Sequence, residues 1–329
     1  MRASGAKTSV KFAQEKVWKT PIDPGDLGII HGMNIRSINL GGNKNQFQSE
    51  TINQFRSVVG LGDGNKAVEG NIVTDFLPEG MEVLLRHLLG KGAAATTGSG
   101  PYTHVLKGDA ETMQGLMIQK AFTNIDEYFV YRGCRINSMA INVVQEGFHD
   151  VTWDLVGTSE EIEATDQLNA TAAVYPTKSG FTGYQVKVQT NISGSYVDLG
   201  NVVSGNLNIT NNVETDGYVL GSDERAAAEH GTRECTGGWA MFFEDTSLYA
   251  LYQSGVECGI KWIFSNTTTG DSITFEFPKV KMGGDSPAIE SAAGVNLNLT
   301  FQARYDTGSS TDVIVTIVNS LASIEDEPA

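Results

Sequence analysis

The chemically versatile side chains of this chain of 329 residues are five histidines (His31, His87, His104, His149, His230) and three cysteines (Cys134, Cys235, Cys258). Histidines hold a metal when two sit four apart on a helix, and cysteines when paired as C-x-x-C. Neither spacing occurs. His87 falls in a leucine-rich stretch and reads as a packing or helix-end residue; Cys134 reads as a small buried residue at a strand start. Gly60-Leu61-Gly62-Asp63-Gly64 has glycines like a phosphate cradle but no third glycine in register and no following K-[ST], so it reads as a flexible turn. Glu160-Glu161-Ile162-Glu163 imitates a paired-carboxylate site but reads as a solvated acidic link. There is no G-x-S-x-G elbow. The expectation is no catalytic residue, no cofactor, no metal and no enzyme.

The elements that would have to position such groups are mostly strands. From Val295 to Arg304 every odd position is apolar and every even one polar, the mark of a strand with one buried and one wet face. Leu207 and Ile209 alternate with Asn206, Asn208 and Thr210; Ile273, Phe275 and Phe277 with Thr274 and Glu276; Val151, Trp153 and Leu155 with Thr152 and Asp154. Val186 and Val188 behave alike, and Ile136–Val144, Trp239–Phe243 and Asp312–Asn319 are further strands. This alternation belongs to antiparallel sheets with a solvated face. Two short helices are predicted, one with Met81, Val83, Leu84, Leu85, Leu88 and Leu89 inward and stopped by Gly90, the other from about Thr246 to Gln253 and closed by Gly255. Ser222 to Glu229 reads as either a helix or a loop.

With 23 Lys+Arg against 39 Asp+Glu, the net charge is −16, which argues against a protein that grips nucleic acid through its phosphates. An odd number of unpaired cysteines suits a reducing compartment, and no stretch approaches the ~20 apolar residues of a membrane span. The protein is expected to be made in a cytoplasm.

The order strand, aromatic and acidic turn, short helix, glycine occurs twice, ending at Gly90 and at Gly255, 165 residues apart. Gly32-Met33-Asn34-Ile35 is matched to Gly205-Asn206-Leu207-Asn208 at an offset near 173, and Tyr131 to Ile136 loosely to Ser272 to Phe277 near 140. The repeat predicts two tandem antiparallel β-sandwich or barrel-like domains, each with a short helix. The first spans 1–165 with a loop insertion at about 91–114; a polar link spans 166–178; the second, with an acidic tail at Glu325-Asp326-Glu327, spans 179–329.

The run Tyr131-Arg132-Gly133-Cys134-Arg135-Ile136-Asn137-Ser138-Met139, followed by Val151-Thr152-Trp153-Asp154-Leu155-Val156-Gly157, resembles the central signature of tail tube proteins (major tail proteins) of long-tailed bacteriophages. Tyr102-Thr103-His104-Val105, Leu207 to Glu214, Phe242-Phe243-Glu244-Asp245 and Leu248 to Tyr252 fit the same pattern, so the resemblance covers about 65–305. It implies sandwich-like units whose sheets join into one barrel around a DNA channel, six units to a ring and rings stacked into a tube. A duplicated chain implies three chains per ring. Four strands per unit give ~24 strands, which at ~4.8 Å spacing and ~40° tilt close a wall roughly 48 Å across. A duplex roughly 20 Å wide would pass.

Charge fits that use, since residues up to 165 carry 15 basic and 19 acidic side chains and the remainder 8 and 20. Such walls repel DNA toward the axis. Candidate lumen-facing residues are Asp154, Asn206, Asn208, Thr210, Glu276, Asn296, Asn298 and Thr300, although these wet faces could equally form an outer surface. Candidate ring-stacking positions lie in the 91–114 insertion (Gly92, Thr97, Gly100) and in 217–233 (Asp223, Arg225, Arg233). The implied partners are further copies of the chain, the tape-measure, tail-tip and tail-terminator proteins, and double-stranded DNA passing without specific binding, with no membrane; the implied location is the virion. The alternative is a carbohydrate- or receptor-binding β-protein of a tail tip or fibre. It would set aromatics on wet faces, whereas Trp153, Trp239, Phe275 and Phe301 fall on apolar ones.

Overall fold

The computed structural model describes residues 2–19, 29–52, 54–90, 95–97, 100–108, 113–169, 172–191, 194–289, 294–322 and 324. The first half contains β1 (Thr8–Gln14), β2 (His31–Met33), β3 (Ile35–Ile38), β4 (Gly41–Gln48), β5 (Leu61–Asp75), α1 (Glu82–Leu89), β6 (Ala95–Thr97), β7 (Tyr102–Lys107), β8 (Leu116–Phe122), β9 (Glu127–Val143), β10 (Asp150–Gly157) and β11 (Ser159–Glu163). The second contains β12 (Val186–Asn191), β13 (Tyr196–Leu199), β14 (Val202–Thr210), β15 (Glu234–Phe242), α2 (Ser247–Ser254), β16 (Cys258–Ser265), β17 (Ser272–Gly284), β18 (Asn296–Ala303) and β19 (Ile314–Asn319). The fold is mainly β, and every ladder between these strands is antiparallel.

Two layers pack face to face. One is a row in which β3 and β4 lie on β5, followed by β10, β9, β14, β15, β18 and β17. In the other, β2–β1–β8 reaches β9 in the first half, and β13–β12–β16 reaches β17 in the second. The alternation seen in the sequence sends one side chain in two into the space between layers. There Trp239 meets Trp262 edge-on at 6.5 Å, Phe277 meets Phe301 at 5.2 Å and Phe76 meets Phe264 at 4.8 Å. Packing of this kind contributes ~1 kcal/mol per aromatic pair beyond simple burial.

β9 and β17 are long because each serves both layers. β9 pairs with β8 and β11 over its first half, then with β10 and β14 over its second. The change of layer falls at a β-bulge, where Leu116 faces Cys134 but Ile118 faces Tyr131. Gly133 sits there with φ 60°, and a Cβ would lie 2.6 Å from the Thr158 hydroxyl. β17 carries the same irregularity, Cys258 facing Val280 and Ile260 facing Phe277, 146 residues further on.

The bulges align the repeat within the row, although β6 and β7, between α1 and β8, have no counterpart between α2 and β16. In the first half β3, β5, β10 and β9 lie side by side in that order; in the second β14, β15, β18 and β17 do. The shift between Ile35 (opposite Thr74) and Ser37 (opposite Val73) recurs between Val202 (opposite Met241) and Ser204 (opposite Ala240), an offset of 167. These registers replace the offsets of 173 and 140 taken from sequence. Gly205 corresponds to Ile38 rather than Gly32, because equivalence is set by which residue faces which across the ladder, not by a shared glycine.

α1 packs on β9 and β7 and is buried along its whole length, Glu82, Arg86 and His87 included. α2 packs on β17 through Leu248 and Leu251, and Gly255, at φ 64°, closes it. Residues 222–229 are not helical; they lie in an irregular segment folded over the first half. Glu160 to Glu163, expected as a solvated link, belong to β11 and pair with β9, and the expected turn at Gly62 and Gly64 lies within β5. Both stretches have enough strand neighbours to be paired despite their composition. Between β11 and β12 the chain is held down by Lys11 to Asp166 (2.5 Å) and by buried Leu168. Among the described residues no helix is long and apolar enough to cross a membrane. The acidic tail at Glu325 to Glu327 lies outside them.

Candidate functional site: a polar sheet face and two unpaired edges

Counted with β3 and β4, which follow one another along the same edge of β5, as one strand, the eight-strand row has one apolar and one polar face, and registers show which residues share the latter. Asp154 lies opposite Ser138, Ser138 opposite Thr210, Ala140 opposite Asn208 and Asn142 opposite Asn206. Asn206 faces Gly238, which faces Thr300; Ala240 faces Asn298 and Phe242 faces Asn296. Seven of the eight residues expected to look into a lumen therefore occupy one continuous surface crossing both halves of the chain. Their strand neighbours Trp153, Met139, Ile141, Leu207, Ile209, Trp239, Leu297 and Leu299 are all buried on the opposite side.

Glu276 is the exception. β17 bends between the layers after Phe277, so Glu276 lies in the other layer, paired to Lys261 (3.0 Å) and accepting from the Tyr196 hydroxyl (3.0 Å). Burial, then the Glu276 carboxylate, push the Tyr196 hydroxyl well above the usual phenol range.

The shared face is made of short side chains. Its charges include Asp75, Asp150, Asp154 and Glu234, with Arg36 held by Asp75 at 2.5 Å and 3.8 Å from Asp150. Asn137 donates to Asp154 at 2.8 Å. At the end of this face Arg135 is spent on the carbonyl of Ala228.

The expected stacking positions separate. Gly92 lies outside the described residues; Thr97 ends β6 and is exposed, and Gly100 is exposed in the turn before β7. Asp223 is exposed and bound to Lys66 (2.9 Å), which holds its carboxyl below the usual range. Arg225 is fully buried, donating to the carbonyls of Gly157 and Thr215 and to Glu69 at 2.8 Å. Arg233 makes a two-pronged bond with Asp312 at 3.0 and 2.6 Å. A guanidinium in a polar loop reads as a surface contact in sequence, yet these two are spent inside the chain, pinning 211–233 onto its own first half and the start of β19.

The reactive groups do not converge. Among the described residues no cluster of His, Cys, Asp and Glu could hold a metal. Burial and the neighbouring Arg86 push His87 down to about 3, so it is neutral at physiological pH. Burial pushes the thiols of Cys134, Cys235 and Cys258 up.

The edges of the row are the other notable feature, and sequence periodicity gave no sign of them. β8 covers one edge of β9 as far as its bulge, and β14 covers the rest; β10 and β11 run along the other edge. β16 likewise covers one edge of β17 up to Val280, and β18 and β19 share the other. No described strand takes the place of β14 beyond Val280. At the far end, β3 and the start of β4 pair only with β5. Each end of the row thus lacks what the other end offers.

The chain matches the family model described as phage tail tube protein over residues 5–303. No curated protein matches it.

Proposed function

Because this chain belongs to the phage tail tube protein family and is a structural component of the virion tail, we propose that three copies close head to tail into a ring, and that stacked rings form the conduit for genome ejection. The observation that carries this reading is the pair of complementary open edges on a duplicated sheet. Within the chain, β9 of the first half meets β14 of the second, Met139 opposite Ile209 and Ile141 opposite Leu207. The counterparts are Gly284 and Ser286 after β17, and Gly42 and Leu40 at the β3–β4 edge. Ring closure repeats the internal joint, pairing Gly284 with Gly42 and Ser286 with Leu40 of the next chain. Pro287, with no N–H, ends the stretch able to pair. Exposed edges of this kind bind other strands unless blunted, and a head-to-tail contact that closes makes a ring.

Three chains of eight strands give the ~24-stranded wall whose bore admits a duplex. The seven-residue polar face lines it, since the apolar face is already covered by the second layer. Short amides, hydroxyls and carboxylates there offer DNA no counter-charge. Tape-measure, tail-tip and tail-terminator proteins meet the tube inside and at its ends. The test is a helical reconstruction of assembled protein. Three chains per ring, with β17 beside a neighbour's β3, is the expected result; a ring of six chains, or rings closed through other strands, refutes it.

A further inference from the structure

We infer that the exposed hairpin made by the end of β4, the start of β5 and the described residues that join them (44–52 and 54–66) is a clasp that folds onto the next chain of the same ring and fills a groove on its second half; this rests on the ring proposed above. The duplication supplies the argument. Asn43 corresponds to Thr210 and Ala67 to Glu234, both at the offset of 167 fixed by the β3 and β14 registers, so 44–66 and 211–233 are counterparts of equal length. Their fates differ. Residues 211–233 cross the β9–β14 joint and lie on the first half. Val213 and Ala228 pack with Met113 and Val156, Arg225 bonds Glu69 and the Gly157 carbonyl, and Arg135 donates to the carbonyl of Ala228. The hairpin stands in solvent, with Phe47, Ile52, Val58, Val59 and Leu61 each more than half exposed. An apolar concentration of that size on one protrusion marks a contact surface.

The surface that 211–233 covers has its own counterpart. Glu69, Arg135 and Val156 correspond to Thr236, Lys281 and Gln302. Those three residues, with Asn206 and Thr300 at the margin of the polar face, line an open groove of about 540 Å³ that also takes in Met282, Phe301 and the side-chain-free Gly237 and Gly283. The chemistry of the two sites changes in step. Where Arg225 meets Glu69 inside the chain, the counterparts Val58 and Thr236 are both uncharged; where Ala228 meets Val156, the counterparts are Leu61 and Gln302. The hairpin cannot use the groove on its own chain by this route, because the joint that carries it there is the one closed by the next molecule. The occupant is therefore a second copy of this chain.

Cysteine cross-linking tests this directly, since the three natural cysteines are buried. One preparation carries Leu61→Cys, another Gln302→Cys; a second pair carries Val58→Cys and Thr236→Cys. Chains are mixed, allowed to assemble, oxidised and run without reductant, while rings and tubes are scored by electron microscopy. The expected result is a disulfide-linked dimer in at least one mixed pair, absent from each single variant alone and lost when assembly is prevented. If rings form and neither mixed pair cross-links, the clasp is wrong and the ring reading stands. If wild-type protein forms no rings under any condition, both fall. A Val58→Asp, Leu61→Asp variant, altered only at exposed positions, should keep the wild-type melting temperature and lose ring formation at least tenfold; assembly at the wild-type level overturns the clasp.

Discussion

Turning the proposed lumen basic gives the sharpest test of which sheet face looks inward. Asn296 and Asn298 are both exposed and lie on the shared polar face, two residues apart on β18 and outside the groove that the clasp fills. Replacing both with lysine should leave the fold intact, as exposed substitutions away from special features usually change stability by about 0.5 kcal/mol or less. Three chains then place six new ammonium groups around each ring. Each phosphate neutralised contributes about 0.9 to the slope of log K against log salt, so six contacts give a slope near −5. A fourfold rise in salt, from 50 to 200 mM, should weaken DNA retention about 10³-fold. The assay is retention of linear duplex by assembled tubes across that salt range, with nuclease added to separate DNA inside the tube from DNA on its surface. The wild type should retain none, and Asn296→Lys, Asn298→Lys tubes should hold nuclease-protected DNA at low salt. Bound DNA that is fully digestible, or no gain over wild type, would mean that this face is not the wall.

Other consequences concern stability and can be read by melting the unassembled chain. His87 has its pKa lowered to about 3 by burial, so its contribution is complete above the unfolded value near 6.5 and is lost as pH falls. At pH 5 the loss is about 2 kcal/mol, and His87→Gln should flatten the acid limb; an unchanged limb would show that His87 is not the group responsible. Burial raises the Glu82 carboxyl, the opposite case: stability is fullest below the unfolded value and declines as pH rises through the folded one. Glu82→Gln, which keeps an acceptor for the 2.9 Å bond from Asn319, should therefore melt progressively higher than wild type as pH is raised. Phe76 lies 4.8 to 6.2 Å from Phe264, Phe181 and Phe275 of the second half; Phe76→Ala should cost about 3–5 kcal/mol in chemical denaturation. Arg225→Met leaves the Gly157 and Thr215 carbonyls without their donor and should cost about 2–4 kcal/mol, with faster proteolysis of 211–233.

The β class, both helices with their stopping glycines and the wet faces of six strands were legible in the sequence. Each depends on spacing within a few residues: period two for Asn296–Ala303, the leucine stripe of Glu82–Leu89, a left-handed Gly255. The repeat was visible too, but with the wrong offsets, since sequence matching followed shared glycines while the fold aligned bulges. Glu160 to Glu163 misled because an acidic run looks solvated, although Arg132 reaches Glu161 at 3.0 Å and β9 pairs the backbone. Arg225 and Arg233 misled for a related reason, as composition carries no sign of a carboxylate 79 or 156 residues away in the chain.

By itself, then, the amino-acid order determined the β class, which side of six strands is wet and that the chain carries excess negative charge. Tertiary structure decided which wet faces become one surface, why Glu276 is excluded from it and where pairing stops. The physical reason is range. Alternation, capping and charge balance are properties of neighbouring residues, whereas a shared face and an open edge exist only once the registers of β9 with β14, and of β17 with β16 and β18, have been set by contacts between distant segments.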